Sequence, residues 1–155
     1  ILINNDRFIL PTLKSRCINF KIFLDHDSII SVTNKLIGEN IFQNLNSDLL
    51  NYYSTPGSLY KIITFLKSNN YDLKHFNIKD FLILIIKENL YKKDLFIKNI
   101  TFEYIELFLR KKITFLKYNT FDYYNYFLKR INDTKKFNLD EESLFLEFEH
   151  KVLNG

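Results

Sequence analysis

The sequence has little of several residue types: one cysteine, three glycines, two prolines, and no alanine, methionine or tryptophan. A single cysteine excludes a disulfide within the chain and is typical of a reducing compartment, which predicts a cytoplasmic protein. The three glycines, Gly38, Gly57 and Gly155, are too dispersed to build the glycine-rich loop that holds nucleotide phosphates. This stretch of chain is therefore not expected to bind a nucleotide through such a loop.

Long apolar runs and blocks of like charge are also missing. The longest unbroken apolar run, Phe81 to Ile86, is far shorter than the roughly 20 residues that cross a bilayer, and the chain does not start with a signal-peptide pattern. The formal net charge is +4, but the lysines are scattered along the chain. We therefore expect no membrane partner and no dedicated tail that binds nucleic acid.

Candidate metal ligands and catalytic groups do not form a recognisable set. His26 has no second histidine or cysteine at ligand spacing, so it is expected to cap a helix or face solvent, and no metal site is predicted. Glu141, Glu142, Glu147 and Glu149 alternate with apolar residues, which favours a solvated helix face over a pair of catalytic carboxylates. No nucleophile elbow or catalytic triad is present in the sequence. The chain is therefore predicted to have no catalytic site of its own.

The first 24 residues have the pattern of two short strands on either side of a turn. Ile1 to Ile3 are apolar and end in Asn4-Asn5-Asp6, and Cys17 to Ile22 alternate between apolar and polar residues. Pro11 lies between them, and Arg16 lies where the loop enters the second strand. Two strands alone leave unpaired edges, so we expect a larger sheet upstream and interpret the chain as a fragment.

Residues 25–70 predict three short helices. Asp25 to Ser28 offer N-cap side chains for the first helix, and Gly38 is placed to end it. Asn46 opens the second, and Pro56 is tolerated in the first turn of the third. Three short helices in succession are typical of a small bundle.

Residues 71–155 predict four amphipathic helices with short connections, which is the pattern of a helical bundle. They start at Asn77, near Asn99 or Thr101, after Thr120 and at Asn138. Glu141 stands three positions after Asn138, as in a capping box. The residues expected to be buried are Phe81 to Ile86; Phe102, Ile105, Leu109, Ile113 and Leu116; Phe121, Tyr124, Phe127, Leu128 and Ile131; and Phe145, Phe148 and Val152.

One segment resembles a known family. An apolar run that ends in Asn4-Asn5, then Leu10-Pro11-Thr12-Leu13-Lys14-Ser15-Arg16-Cys17 and a helical remainder, is similar to the sensor 1 to Ser-Arg-Cys segment of AAA+ clamp-loader subunits. It is most similar to the delta-prime subunits of bacterial DNA polymerase III. The resemblance implies a mainly α chain: residues 1–24 would end an AAA+ α/β core with two strands, 25–70 would form the three-helix lid, and 71–155 the all-α collar.

The resemblance also implies roles for the motif. In the family, the arginine of Ser-Arg-Cys reaches across a subunit boundary to the ATP that the neighbour holds. Arg16 would act as this arginine finger in trans, with Ser15 and Cys17 completing the motif. Taken alone, Cys17 is expected to be buried and unreactive, and Arg16 would be interpreted as pairing with an acid of its own chain.

Two further positions match family sites. Asn4 or Asn5 falls at the sensor 1 position, and the residues themselves do not decide between them. The stretch Ser54-Thr55-Pro56-Gly57-Ser58 places Gly57 where ATP-binding subunits carry the sensor 2 arginine. Because glycine has no side chain to offer a phosphate, the resemblance implies that the chain binds no cofactor itself and contacts only a neighbour's ATP.

The implied function is DNA replication. The chain would scaffold a pentameric ring with delta and gamma/tau subunits, and the assembled ring would handle the sliding clamp and primer-template DNA as part of the polymerase holoenzyme. One alternative is an ATP-hydrolysing subunit of the gamma/tau or replication-factor-C type. The other is a free-standing helical interaction protein in which Ser15-Arg16-Cys17 is accidental.

Overall fold

A computed structural model describes residues 24–50, 54–113 and 119–154 of the chain, together with the isolated positions 10, 12, 15, 16 and 18. The described residues are mainly helical, and none of them lies in a β-strand. The two predicted strands fall almost wholly outside the described residues. The helices are α1 (His26–Ile37), α2 (Pro56–Ser68), α3 (Ile78–Lys87), α4 (Leu90–Lys93), α5 (Leu95–Ile113), α6 (Asn119–Phe137) and α7 (Glu141–Phe148).

Helix α1 begins and ends at the residues that the sequence predicts. The Asp25 carboxylate accepts a hydrogen bond from the backbone N–H of Ser28 at 2.7 Å, which satisfies one of the free donors of the first turn. At the other end, Gly38 has φ 83°, and its N–H donates to the Asn34 carbonyl at 2.9 Å. A left-handed glycine therefore closes the helix, as expected.

The second of the three predicted short helices is only a 3₁₀ turn, Ser47–Leu49. The Asn46 side chain caps it by accepting from the Asp48 N–H at 3.0 Å. Leu50 is already extended, with φ −81° and ψ 114°, so no α-helix grows from this cap. The third helix, α2, forms as predicted with Pro56 in its first turn, where a missing backbone N–H costs nothing.

The C-terminal helices differ from the prediction at two boundaries. Helix α5 begins earlier than expected, because Asp94 accepts from the Phe96 N–H at 2.7 Å and starts the helix at Leu95. The predicted cap Asn138 is wrong: this residue has φ 51° and lies in the turn before α7. Asp140 is the cap instead, and its carboxylate accepts from the Ser143 N–H at 3.0 Å.

Three turns place asparagine, not glycine, in the left-handed region of backbone space. Asn70 follows α2 with φ 58°, Asn89 separates α3 from α4 with φ 51°, and Asn138 precedes α7. Asparagine tolerates this region better than other residues with a side chain. In these three turns, asparagine therefore occupies the position with positive φ where glycine is more usual.

The buried side chains form one continuous core that runs from α1 to the end of the chain. Helix α7 contributes two fully buried phenylalanines. Phe145 packs on Phe102 of α5, with 5.0 Å between ring centroids, and Phe148 packs edge-on against Phe127 of α6 at 5.2 Å. A π-helical turn, Glu149–Leu153, continues α7 and buries Val152 as predicted. The aromatic side chains therefore join the last three helices.

Buried threonines on the helices are satisfied in two cases and not in the third. Thr33 donates its hydroxyl to the Ile29 carbonyl at 2.7 Å, and Thr101 donates to the Ile97 carbonyl at 2.8 Å. Thr134 on α6 is 3% exposed, yet its hydroxyl oxygen has no hydrogen-bond partner in the described part of the chain. A buried polar group without a partner lowers stability.

We expect Thr134→Val to raise the free energy of unfolding by about 1 kcal/mol, because valine keeps the shape and removes the unsatisfied hydroxyl. Thr101→Val is the matched control, since it removes a hydroxyl that has a hydrogen-bond partner. This change should lower the free energy of unfolding or leave it unchanged. Urea unfolding of both variants measures the difference. Equal losses in the two variants would show that the Thr134 hydroxyl is satisfied in solution.

Candidate functional site

Arg16 lies in an exposed turn ahead of α1. Ser15 and Arg16 are both turn residues with exposed side chains, and the Ser15 hydroxyl donates to the Thr12 carbonyl at 3.0 Å. Ile18, two residues on, is 84% exposed. The guanidinium therefore faces outward, where its fixed and permanently charged donors can meet the oxygens of another molecule.

The remaining predicted residues of this site are not described. Cys17 and the sensor 1 candidates Asn4 and Asn5 fall outside the described residues. The geometry of the Ser-Arg-Cys segment is thus known only at Ser15 and Arg16.

Gly57 lies in the first turn of α2, on an exposed surface. A Cβ built at this position would meet no atom of the described residues within 4 Å, so their packing does not require glycine here. The neighbouring cap is closed within the chain: Thr55 and Ser58 bind each other's backbone N–H groups at 2.9 and 3.2 Å. The position has room for a larger side chain but carries none that could bind a phosphate.

Two acidic residues near the end of the chain form ion pairs that join α7 to earlier helices. Glu141 pairs with Lys98 of α5 at 2.5 Å, and Glu142 pairs with Lys92 of α4 at 2.8 Å, so both anchor the start of α7. His26 is the exposed first residue of α1. Among the residues that the structure describes, no three histidine, cysteine or acidic side chains are grouped as a metal site.

Glu147 is the centre of a polar network between α6 and the last helical turns. Its carboxylate accepts from the Tyr126 hydroxyl and the Lys151 ammonium, each at 2.7 Å, and Arg130 lies 3.7 Å away. Burial raises the pKa of the Glu147 carboxyl, but the hydrogen bonds from Lys151 and Tyr126 outweigh burial and lower the pKa overall. The carboxylate is therefore ionised at neutral pH.

This network predicts a pH dependence of stability. Because the folded state lowers the pKa of Glu147 below its ordinary value of 4.5, its contribution is complete above that value and is lost as the pH falls through the lowered pKa. We expect Glu147→Gln to destabilise the protein at pH 7 and to destabilise it less at about pH 3, because the contribution of the carboxylate falls as the pH drops below its ordinary pKa of 4.5. Unfolding experiments across this range, with Glu149→Gln as the control for net charge, measure the effect. An equal loss at both pH values would contradict it.

Tyr126 and Lys151 also line a shallow groove with Asp122 and Tyr123. No sequence pattern predicted this groove, although Tyr123 and Tyr126 are three residues apart on α6 and therefore share a face. Lys151 lies over the Tyr126 ring, 5.3 Å from its centroid. The Tyr126 hydroxyl and the Lys151 ammonium of the groove are thus both bound to Glu147.

Within the described part of the chain, every helix is too short or too polar to cross a membrane. Comparisons with models of protein families, with curated proteins and with solved structures found no match to this chain. The clamp-loader resemblance therefore rests on the motif residues alone.

Proposed function

We propose that this chain is part of a clamp-loader subunit of the AAA+ family. More particularly, we assign it to the delta-prime type of bacterial DNA polymerase III, in which it would scaffold a ring with delta and gamma/tau subunits in the cytoplasm. That ring would place the sliding clamp on primed DNA. The observation that carries the proposal is the exposed Arg16, which lies in a turn with Ser15 on the N-terminal side of the helices.

The proposed mechanism is electrostatic. A guanidinium at a subunit edge offers planar, charged donors to the oxygens of a phosphoryl group during transfer. Arg16 would supply these donors to the ATP of the neighbouring subunit, and Ser15 would hold the turn through its bond to the Thr12 carbonyl. This subunit would have no turnover of its own.

The first turn of α2 favours the delta-prime type over an ATP-hydrolysing subunit. Gly57 stands at the position that the resemblance assigns to the sensor 2 arginine, and no atom of the described residues lies within 4 Å of a Cβ built there. In this assignment, α1, the 3₁₀ turn and α2 correspond to the lid, and α3 to α7 correspond to the collar. The core strands would lie in the part of the chain that is not described.

Assembly tests the proposal. The protein is expressed with any sequence that precedes Ile1 in its gene, mixed with delta and gamma/tau subunits of the same organism, and examined by native mass spectrometry. We expect a complex that contains all three kinds of subunit. Failure to assemble would favour a free-standing helical interaction protein, and ATP hydrolysis by the purified protein alone would favour the gamma/tau or replication-factor-C type.

A further inference from the structure

The connection between α1 and α2 is tied to the C-terminal helices at several points. We call residues 46–50 the strap. The Tyr104 hydroxyl of α5 donates to the Leu49 carbonyl at 2.6 Å, and both residues are buried. About two turns further along α5, the Lys111 ammonium donates to the Asp48 backbone carbonyl at 3.1 Å and to the Asp48 carboxylate at 2.9 Å. The strap is therefore held by two side chains of α5 that are seven residues apart and lie on one face of the helix.

A third bond holds the start of the strap. The Asn46 N–H donates to the carbonyl of Leu73 at 2.9 Å, and Leu73 belongs to the connection between α2 and α3. The strap thus contacts both the segment between α2 and α3 and helix α5. It links the α1–α2 pair to the rest of the molecule from two sides.

Tyr104 is suited to hold a fixed position. It is 1% exposed, and its ring lies against Phe81 of α3 with 5.0 Å between centroids. Burial raises the pKa of its phenol, so the hydroxyl stays protonated and remains a donor. A buried donor that lost the Leu49 carbonyl would be left without the bond that compensates its removal from water.

The α1–α2 pair and the C-terminal helices form two groups, and one direct contact between these groups is a weak cation–π interaction. Lys61 of α2 lies over the ring of Phe96 in α5, with 4.5 Å from the ammonium nitrogen to the centroid. Lys61 is exposed, and cation–π contacts at exposed sites contribute less than desolvated ones. The strap adds buried, directional hydrogen bonds to the apolar core that the two groups of helices share.

We propose that the strap is a latch that fixes the orientation of the α1–α2 pair on the C-terminal helices. With Tyr104 and Lys111 engaged, the two groups of helices move as one body. When both contacts are lost, each group keeps its helices, but the α1–α2 pair changes its angle. This proposal does not depend on the role of Arg16.

The test compares the double variant Tyr104→Phe, Lys111→Ala with a matched pair of changes. The controls are Tyr91→Phe, a buried tyrosine whose hydroxyl bonds to the nearby Asn89 side chain at 3.1 Å, and Arg110→Ala, whose guanidinium pairs with Glu106 on its own helix and hydrogen-bonds Tyr124 of α6. These changes remove similar groups without touching the strap. Circular dichroism confirms that helices are retained in each variant.

Two measurements report on the latch. Spin labels at positions 35 and 129, on exposed faces of α1 and α6 in a Cys17→Ser background, give the distance distribution between the two groups of helices. We expect the distribution to become at least twofold broader in the double variant and to stay narrow in the controls. A distribution as narrow as that of the parent protein would overturn the proposal.

Hydrogen exchange covers the case in which the double variant does not fold. Lys111→Ala alone changes only a partly exposed side chain, and it should speed amide exchange at Asn46, Leu49 and Leu50 by about tenfold, since opening of the strap exposes these N–H groups. Unchanged exchange in this single variant would equally overturn the latch.

Discussion

Replacing Arg16 with alanine should slow ATP hydrolysis by roughly 10³-fold or more at the neighbouring subunit's site that the proposed function assigns to it, because arginine fingers in other nucleotide hydrolases contribute 10³ to 10⁵ in rate. The side chain is exposed in a turn, so its loss opens no cavity among the described residues. Folding and ring assembly are expected to be unchanged. The measurements are the rate of clamp loading by the assembled complex and the rate of ATP hydrolysis at that one site.

Two further variants sharpen this result. Arg16→Lys keeps the charge but loses the planar fork of donors, so it should recover only a small part of the rate. Arg110→Ala removes a guanidinium that pairs with Glu106 on its own helix and should leave the rate as it was. Loading at the normal rate by the Arg16→Ala complex would show that this arginine does not act on the neighbour's ATP.

Phe148→Ala should destabilise the protein by about 3–5 kcal/mol, the usual cost of removing a buried phenylalanine. Its ring is fully buried and packs edge-on against Phe108 at 6.0 Å and Phe127 at 5.2 Å, so truncation opens a cavity where α5, α6 and α7 meet. Domains of this size are stable by about 5–15 kcal/mol, so the loss is a large part of the total. The midpoint of urea unfolding measures it.

Leu146→Ala is the control for this change. Leu146 lies on the same helix but is 51% exposed, so its truncation should alter stability by no more than about 0.5 kcal/mol. Equal and small losses in the two variants would mean that α7 does not pack on the bundle in solution.

Features set by neighbouring residues could be predicted from the sequence. The caps Asp25 and Asn77 and the terminating Gly38 act within a few residues of their own position, so the pattern alone locates these helix ends. The prediction failed where two nearby residues compete for one role. Asp140 displaced Asn138 as a cap, since an ionised carboxylate accepts two backbone N–H groups near the positive end of the helix.

Contacts between distant parts of the chain could not be predicted. Tyr104 and Leu49 are 55 residues apart, and no periodicity in either segment indicates that a hydroxyl of one meets a carbonyl of the other. The network around Glu147 joins α6 to α7 in the same way. The role proposed for Arg16 rests on the sequence motif, and it depends on a nucleotide that another subunit would hold.

The left-handed asparagines at positions 70, 89 and 138 bear on how this protein was shaped. Asparagine codons are rich in adenine and thymine, whereas glycine codons are rich in guanine. A genome with a bias toward adenine and thymine would therefore favour asparagine at positions where the backbone has a positive φ. Each such residue bears a small steric penalty that a glycine would relieve. Mutational bias at the level of DNA would then hold the molecule slightly below the stability that its own architecture permits.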